Sequence, residues 1–92
     1  MIIGTTYQNI EINEFTLKRE GEEYSVYFEF TSTEGSFKVK LSGVRDTYNL
    51  CDLLEAERIW IKEEKNSQIE YGRFTLGMSH ESYSEFNFDV LY

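Results

Sequence analysis

From Glu23 to Thr31 apolar and polar residues alternate at period two, with Tyr24, Val26, Phe28 and Phe30 on one side and Glu23, Ser25, Tyr27, Glu29 and Thr31 on the other. Successive side chains of a strand point to opposite faces, so this pattern predicts an amphipathic strand with one wet face. Thr33-Glu34-Gly35 supplies turn chemistry, and Ser36 to Leu41 resumes the alternation, with Phe37, Val39 and Leu41 against Ser36, Lys38 and Lys40. The two runs read as a hairpin in which Lys38 and Lys40 lie across from Glu29 and its neighbours, a favourable opposite-charge arrangement. Upstream, Ile10 and Ile12 share one parity while Phe15 and Leu17 share the other, so a strand from Ile10 to Arg19 needs an extra residue near Asn13-Glu14. The turn Glu20-Gly21-Glu22 joins it to the best strand, giving an antiparallel meander.

Ser42-Gly43 interrupts that meander. Asp46 or Thr47 then caps a short predicted helix whose Leu50, Leu53 and Leu54 fall at helical spacing as far as Glu57. Ile59 and Ile61 alternate with Arg58, Trp60 and Lys62, and Glu64-Lys65-Asn66-Ser67 turns the chain into Ile69, Tyr71, Phe74 and Leu76, whose parity flips at Gly72. Gly77 to Ser84 is small and polar and reads as the most exposed loop, after which Phe86, Phe88, Val90 and Tyr92 form a final strand. The expected fold class is α+β, predominantly β: a curved antiparallel sheet of about six strands with one short helix between the third and fourth. The expectation is a single domain spanning 1–92, because separate cores appear only in much longer chains.

Charge narrows the function. Seventeen Asp and Glu against nine Lys and Arg give a net charge of -8, a field that repels phosphate backbones where nucleic-acid binders carry a basic patch. Direct nucleic-acid binding is disfavoured, whereas a basic protein partner suits this field, since complementary charge speeds encounter and fixes register. The plainer reading is that the charge keeps a small domain soluble. Cys51 is the single cysteine, so no internal disulfide can form, and a reducing, cytoplasmic location is the natural expectation. The start lacks a basic segment followed by an apolar stretch, and no run approaches the roughly 18–20 apolar residues of a membrane span.

Catalytic constellations are weak. His80 is the only histidine and sits in Ser79-His80-Glu81-Ser82, but no Gly-x-Ser-x-Gly elbow holds a nucleophile near it. Cys51 lies between Leu50 and Asp52 beside the apolar face of the predicted helix, where a lone thiol is expected to be a small buried hydrophobe. A reactive role would need a neighbouring base or a helix N-terminus. Adjacent acids such as Glu22 with Glu23, Glu55 with Glu57 and Glu63 with Glu64 are abundant, but a chain this short offers little room for a cleft between paired carboxylates. No calcium loop, His-x-x-x-His, Cys-x-x-Cys or glycine-rich phosphate loop is present. Neither a metal nor a cofactor is expected.

What remains is surface. Tyr27 and Glu29 project together from the wet face of the best strand, Trp60 projects between Arg58 and Lys62 unless it covers a second layer, and Tyr83 lies in the late loop. Exposed aromatics among charges are what anchor interfaces. Glu81, Glu85 and Asp89 fall in a stretch from Phe74 to Tyr92 with no Lys or Arg at all. Eight residues are expected to bind the partner: Glu22, Glu23, Tyr27, Glu29, Trp60, Glu81, Glu85 and Asp89.

The function expected from them is a non-enzymatic acidic inhibitor. It would occupy a basic groove on a partner such as a nuclease or another nucleic-acid-binding enzyme, and act as a monomer or homodimer. In size, acidity and cytosolic character the chain resembles bacterial toxin-immunity proteins and phage-encoded inhibitors of host nucleases, including anti-CRISPR proteins; the resemblance is one of general character and carries no motif. The alternative is a small structural or assembly subunit that associates through strand edges.

Overall fold

The computed structural model describes residues 1–64 and 73–92, and its strands form two four-stranded antiparallel sheets. Sheet I has the order β1-β5-β6-β7, built from Thr6–Gln8, Arg58–Glu63, Phe74–Ser79 and Tyr83–Phe88. Sheet II has the order β2-β3-β4-β8, built from Glu11–Glu20, Glu23–Ser32, Gly35–Val44 and Val90–Leu91. The inner faces share one core: Tyr7, Ile59, Ile61, Leu76, Met78, Phe86 and Phe88 from sheet I meet Val26, Phe28, Phe30, Val39 and Leu41 from sheet II. Tyr7 joins the layers, with its ring edge-on to Phe30 and Phe37 at centroid distances of 5.5 and 4.9 Å and its hydroxyl accepting from the Ile2 N–H.

The three paired strands of the meander are as expected, but Ser42-Gly43 does not end it, since β4 runs through both residues to Val44. β2 pairs with β3, and the register slips between Ile12 and Glu14, which is the extra residue that the parity change demands. Across β3–β4, Glu29 faces Lys38 and Tyr27 faces Lys40. A second slip places Ser42 and Gly43 against Ser25. Gly43 has φ +78°, and a Cβ there would lie 2.6 Å from the Asp89 side chain, so backbone conformation and close approach both select glycine.

Four further expectations are corrected. The single curved sheet is two sheets, because alternation marks strands but not their partners, and β1 and β8, at three and two residues, are too short to register as periodic runs. The final strand is broken at Asp89, whose N–H donates to Ser42 O at 2.9 Å and turns the chain from sheet I into sheet II. The helix is a six-residue 3-10 helix, Leu50–Glu55. Leu50 and Leu53 are buried at the three-residue spacing that such a helix puts on one side, while Leu54 is 52% exposed. Asp46 Oδ1 accepts from the Tyr48 N–H in a local turn and caps nothing. Finally, the late exposed loop is mostly strand: Gly77 and Met78 are buried in β6, and only the turn His80–Ser82 projects. The turn expected at Lys65-Asn66-Ser67, the strand positions Ile69 and Tyr71 and the parity change at Gly72 lie outside the described residues. No helix among the described residues is long and apolar enough to cross a membrane.

Candidate functional site

Alternation along β5, β6 and β7 sets the outer face of sheet I. Ile59, Ile61, Leu76, Met78 and Phe86 point into the core, so Arg58, Trp60, Lys62, Thr75, Gly77, Tyr83 and Glu85 point away from it. Trp60 is opposite Gly77 in β6, and Gly77 is opposite Glu85 in β7. The indole lies flat across the glycine: a Cβ at position 77 would come within 2.6 Å of Trp60 Nε1 and Cζ2. Lowered onto the sheet in this way, Trp60 stacks on Tyr83 with ring centroids 5.7 Å apart and planes 27° apart. Trp60 is half-buried, while Tyr83 stays 54% exposed.

Charges of both signs border this aromatic pair: Arg58 and Lys62 flank Trp60 along β5, and carboxylates gather on the Tyr83 side. Tyr83 is pushed up to about 12 by its own desolvation first, then by its hydrogen bond to Glu85 and by the negative charge of Glu85 and Glu64. Beyond Tyr83, the turn between β6 and β7 brings Glu81 and His80 beside Glu57 and Arg58. On its other side the same turn lines a shallow cleft of about 190 Å³ with Asp52 and Glu55 of the 3-10 helix. Two bonds fix the 3-10 helix against β7: Asn49 Nδ2 donates to Glu85 O at 2.9 Å, and Ser84 Oγ donates to Asp52 Oδ2 at 2.7 Å. The result is a cluster of carboxylates, Asp52, Glu55, Glu57, Glu81 and Glu85, about the Tyr83 side of the stack, with Arg58 among them, Glu57 paired with His80 and Asp52 bonded to Ser84.

Small-molecule pockets occupy roughly 300–1,000 Å³ and are mostly apolar, and this cleft is smaller and open. His80 Nδ1 lies 2.9 Å from Glu57 Oε1, so its acidic neighbour in space is Glu57 and not the adjacent Glu81. The nearby Ser84 hydroxyl is committed to Asp52. Among the described residues no group of three or more His, Cys, Asp and Glu is arranged to hold a metal ion. Cys51 is exposed, against the expectation of a buried thiol, because the tighter 3-10 winding turns Leu50 and Leu53 inward and leaves position 51 outside.

The eight expected residues divide among three places. Trp60, Glu81 and Glu85 belong to the surface just described. Glu23 and Asp89 share one cation: Arg45 Nε lies 3.0 Å from Glu23 and its Nη2 2.5 Å from Asp89, so both acids are already paired within the chain, with Glu22 exposed in the adjoining β2–β3 turn. Tyr27 and Glu29 sit on the outer face of sheet II, where the phenol donates to Glu29 Oε2 at 2.7 Å opposite Lys40 and Lys38. That face is mixed in sign. Tyr83 enters the site as a strand residue rather than a loop tip, and the acids of the 3-10 helix and Glu57 are additions. The one sequence signal for the stack is Gly77, a lone glycine inside an apolar strand run, which marks a close approach. Comparison with protein-family models, curated proteins and solved structures finds no match for this chain.

Proposed function

We propose that this chain is a non-enzymatic protein-binding inhibitor that presents its aromatic and acidic surface to a basic groove on a partner, such as a nuclease or another protein built to hold phosphates. The observation that carries this reading is the Trp60–Tyr83 stack, half-exposed on a strand face and bordered by Glu57, Glu81 and Glu85. Large, rigid aromatics provide contact area at low entropic cost and recur at the centres of interfaces, while Arg and Lys of a partner find both carboxylates and ring faces to contact. A net charge of -8 draws a basic partner in from a distance and sets orientation before contact. This is the mechanism by which the resemblance to immunity and anti-defence proteins would operate.

The test is affinity capture from the native host's lysate at low salt with three baits: the wild type, E81K/E85K with W60A, and E23K/D89K. The reading expects one stoichiometric basic protein on the wild type, eluted as salt rises because exposed charge pairs are screened over about 8–10 Å. It expects that protein to be lost from the first variant and kept by the second, whose altered acids lie around Arg45. A partner held equally by all three would place the contact elsewhere, and no partner at low salt would remove the inhibitor reading.

A further inference from the structure

We propose that two copies of this chain pair through the edges of their β2 strands, antiparallel about a two-fold axis at Thr16, to join two sheets II into one eight-stranded sheet. β2 lies at the end of sheet II and pairs only with β3 among the described residues. The 3-10 helix packs against it, yet every residue from Thr16 to Glu20 is exposed, and Leu17 is 45% exposed on the apolar side of the strand. After the slip at Asn13 the register runs without interruption from Glu14 to Glu20, and the charges along that edge, Glu14, Lys18, Arg19 and Glu20, are of both signs, which suits a self-complementary pairing in one register rather than open-ended association.

The direction of the backbone groups follows from the turn. Gly21 and Glu22 form a two-residue hairpin connection between Glu20 and Glu23, which makes those two a hydrogen-bonded pair. Antiparallel ladders alternate, so the N–H and C=O of Lys18, Thr16 and Glu14 face β3, and those of Phe15 and Leu17 face outward. No backbone bond outside the strand ladders, and no side-chain bond, engages the Phe15 or Leu17 main chain among the described residues. A two-fold at Thr16 sets Phe15 opposite the partner's Leu17 and Leu17 opposite the partner's Phe15, pairing outward-facing groups with outward-facing groups through four hydrogen bonds.

Side chains favour this register over those with the axis at Leu17 or Lys18. On the outer face it places Glu14 across from the partner's Lys18, twice by symmetry, and on the inner face it places Phe15 across from the partner's Leu17, also twice. Moving the axis by one residue to Leu17 would set Glu14 against the partner's Glu20 and Phe15 against the partner's Arg19. Moving it to Lys18 would oppose two lysines. Within one chain Glu14 already faces Glu29, a like-charge pair that is unfavourable directly across a ladder, and the partner's Lys18 would relieve it. This pairing does not rest on the inhibitor reading, because the aromatic stack is on the outer face of sheet I and the pairing uses an edge of sheet II.

The test is sedimentation or light scattering over a concentration series on the full chain, with E14K, K18E and E14K/K18E beside the wild type. The wild-type mass should climb from 10.9 kDa towards twice that value. E14K sets lysine against lysine and K18E sets glutamate against glutamate, so each alone should hold the mass at the monomer value, and the double exchange should restore association. E14K also replaces the Glu14–Glu29 opposition with an attractive pair, so a loss of association there is not a loss of folding; thermal unfolding of each variant checks this. A wild type that stays monomeric at the highest concentration, single variants that associate like the wild type, or a double exchange that fails to restore pairing would each overturn the proposal.

Discussion

The Trp60 indole occupies the space that any side chain at position 77 would need, with its Nε1 and Cζ2 2.6 Å from where a Cβ would stand. A strand interior ordinarily loses stability with glycine. Here the glycine lets a large aromatic lie flat on the outer face of sheet I and reach Tyr83. Gly77→Ala should therefore lift the indole off the sheet and break the stack, destabilising the protein by about 1–3 kcal/mol, as overpacking does. Trp60 is the sole tryptophan, so its emission reports the site directly and should shift towards that of a solvated indole. Unchanged emission and unchanged denaturation would mean that the ring is not seated on the glycine.

Arg45 holds Glu23 and Asp89 together, tying the first residue of β3 to the point where the chain crosses from sheet I to sheet II. The groups are partly exposed, so the pairing is worth little energetically, about 1 kcal/mol or less. Arg45→Ala should lower stability by that amount at low salt, and the difference from wild type should shrink as salt is added. Denaturant midpoints at two salt concentrations measure it; a loss of several kcal/mol would show that Arg45 holds the sheet crossing by more than charge.

Cys51 is exposed on the 3-10 helix. A thiol reagent should modify it completely in the native protein, at the rate seen in denaturant to within the difference made by local structure. Cys51→Ser should leave stability within about 0.5 kcal/mol, as surface substitutions do. A native-state rate many-fold below the unfolded rate would contradict the exposed position.

The parts legible in the sequence are those in which period-two alternation is long. Alternation runs from Glu23 to Thr31 in β3 and from Ser36 to Leu41 in β4, and in β2 even the slip at Asn13 is written in the change of parity between Ile12 and Phe15. Sheet membership is not written locally, because it depends on backbone partners such as Ser42 for Asp89 that are distant in sequence. The α-helical expectation has a local cause: leucines at 50, 53 and 54 fit one face of a 3.6-residue helix, whereas the 3.0-residue period adopted aligns only 50 and 53 and leaves Leu54 exposed. For the site, aromatic residues and acids could be named from alternation and charge, but their grouping could not. Glu23 and Asp89 look like free acids until Arg45 is seen between them, and Trp60 becomes part of a platform only once Gly77 is found beneath it.

Two phenols should make the fold sensitive to alkali. The Tyr27 hydroxyl donates to Glu29, and this bond, ahead of desolvation and the charges of Glu29 and Glu14, raises its pKa from 10.0 to about 12. Tyr83 is raised from 10.0 to about 12 by desolvation first, then by Glu85 and Glu64. In the unfolded chain both phenols lose their protons near the ordinary value, so between pH 10 and about 12 the unfolded state binds fewer protons than the folded one. Stability must then fall as pH rises. The contribution is fully present below pH 10 and is lost through the folded values near 12. Denaturation curves collected across this interval should show a declining free energy of unfolding, and Y27F/Y83F should flatten the decline because neither side chain can then titrate. An identical alkaline slope in the double variant would mean that the fold holds neither phenol neutral above its ordinary value.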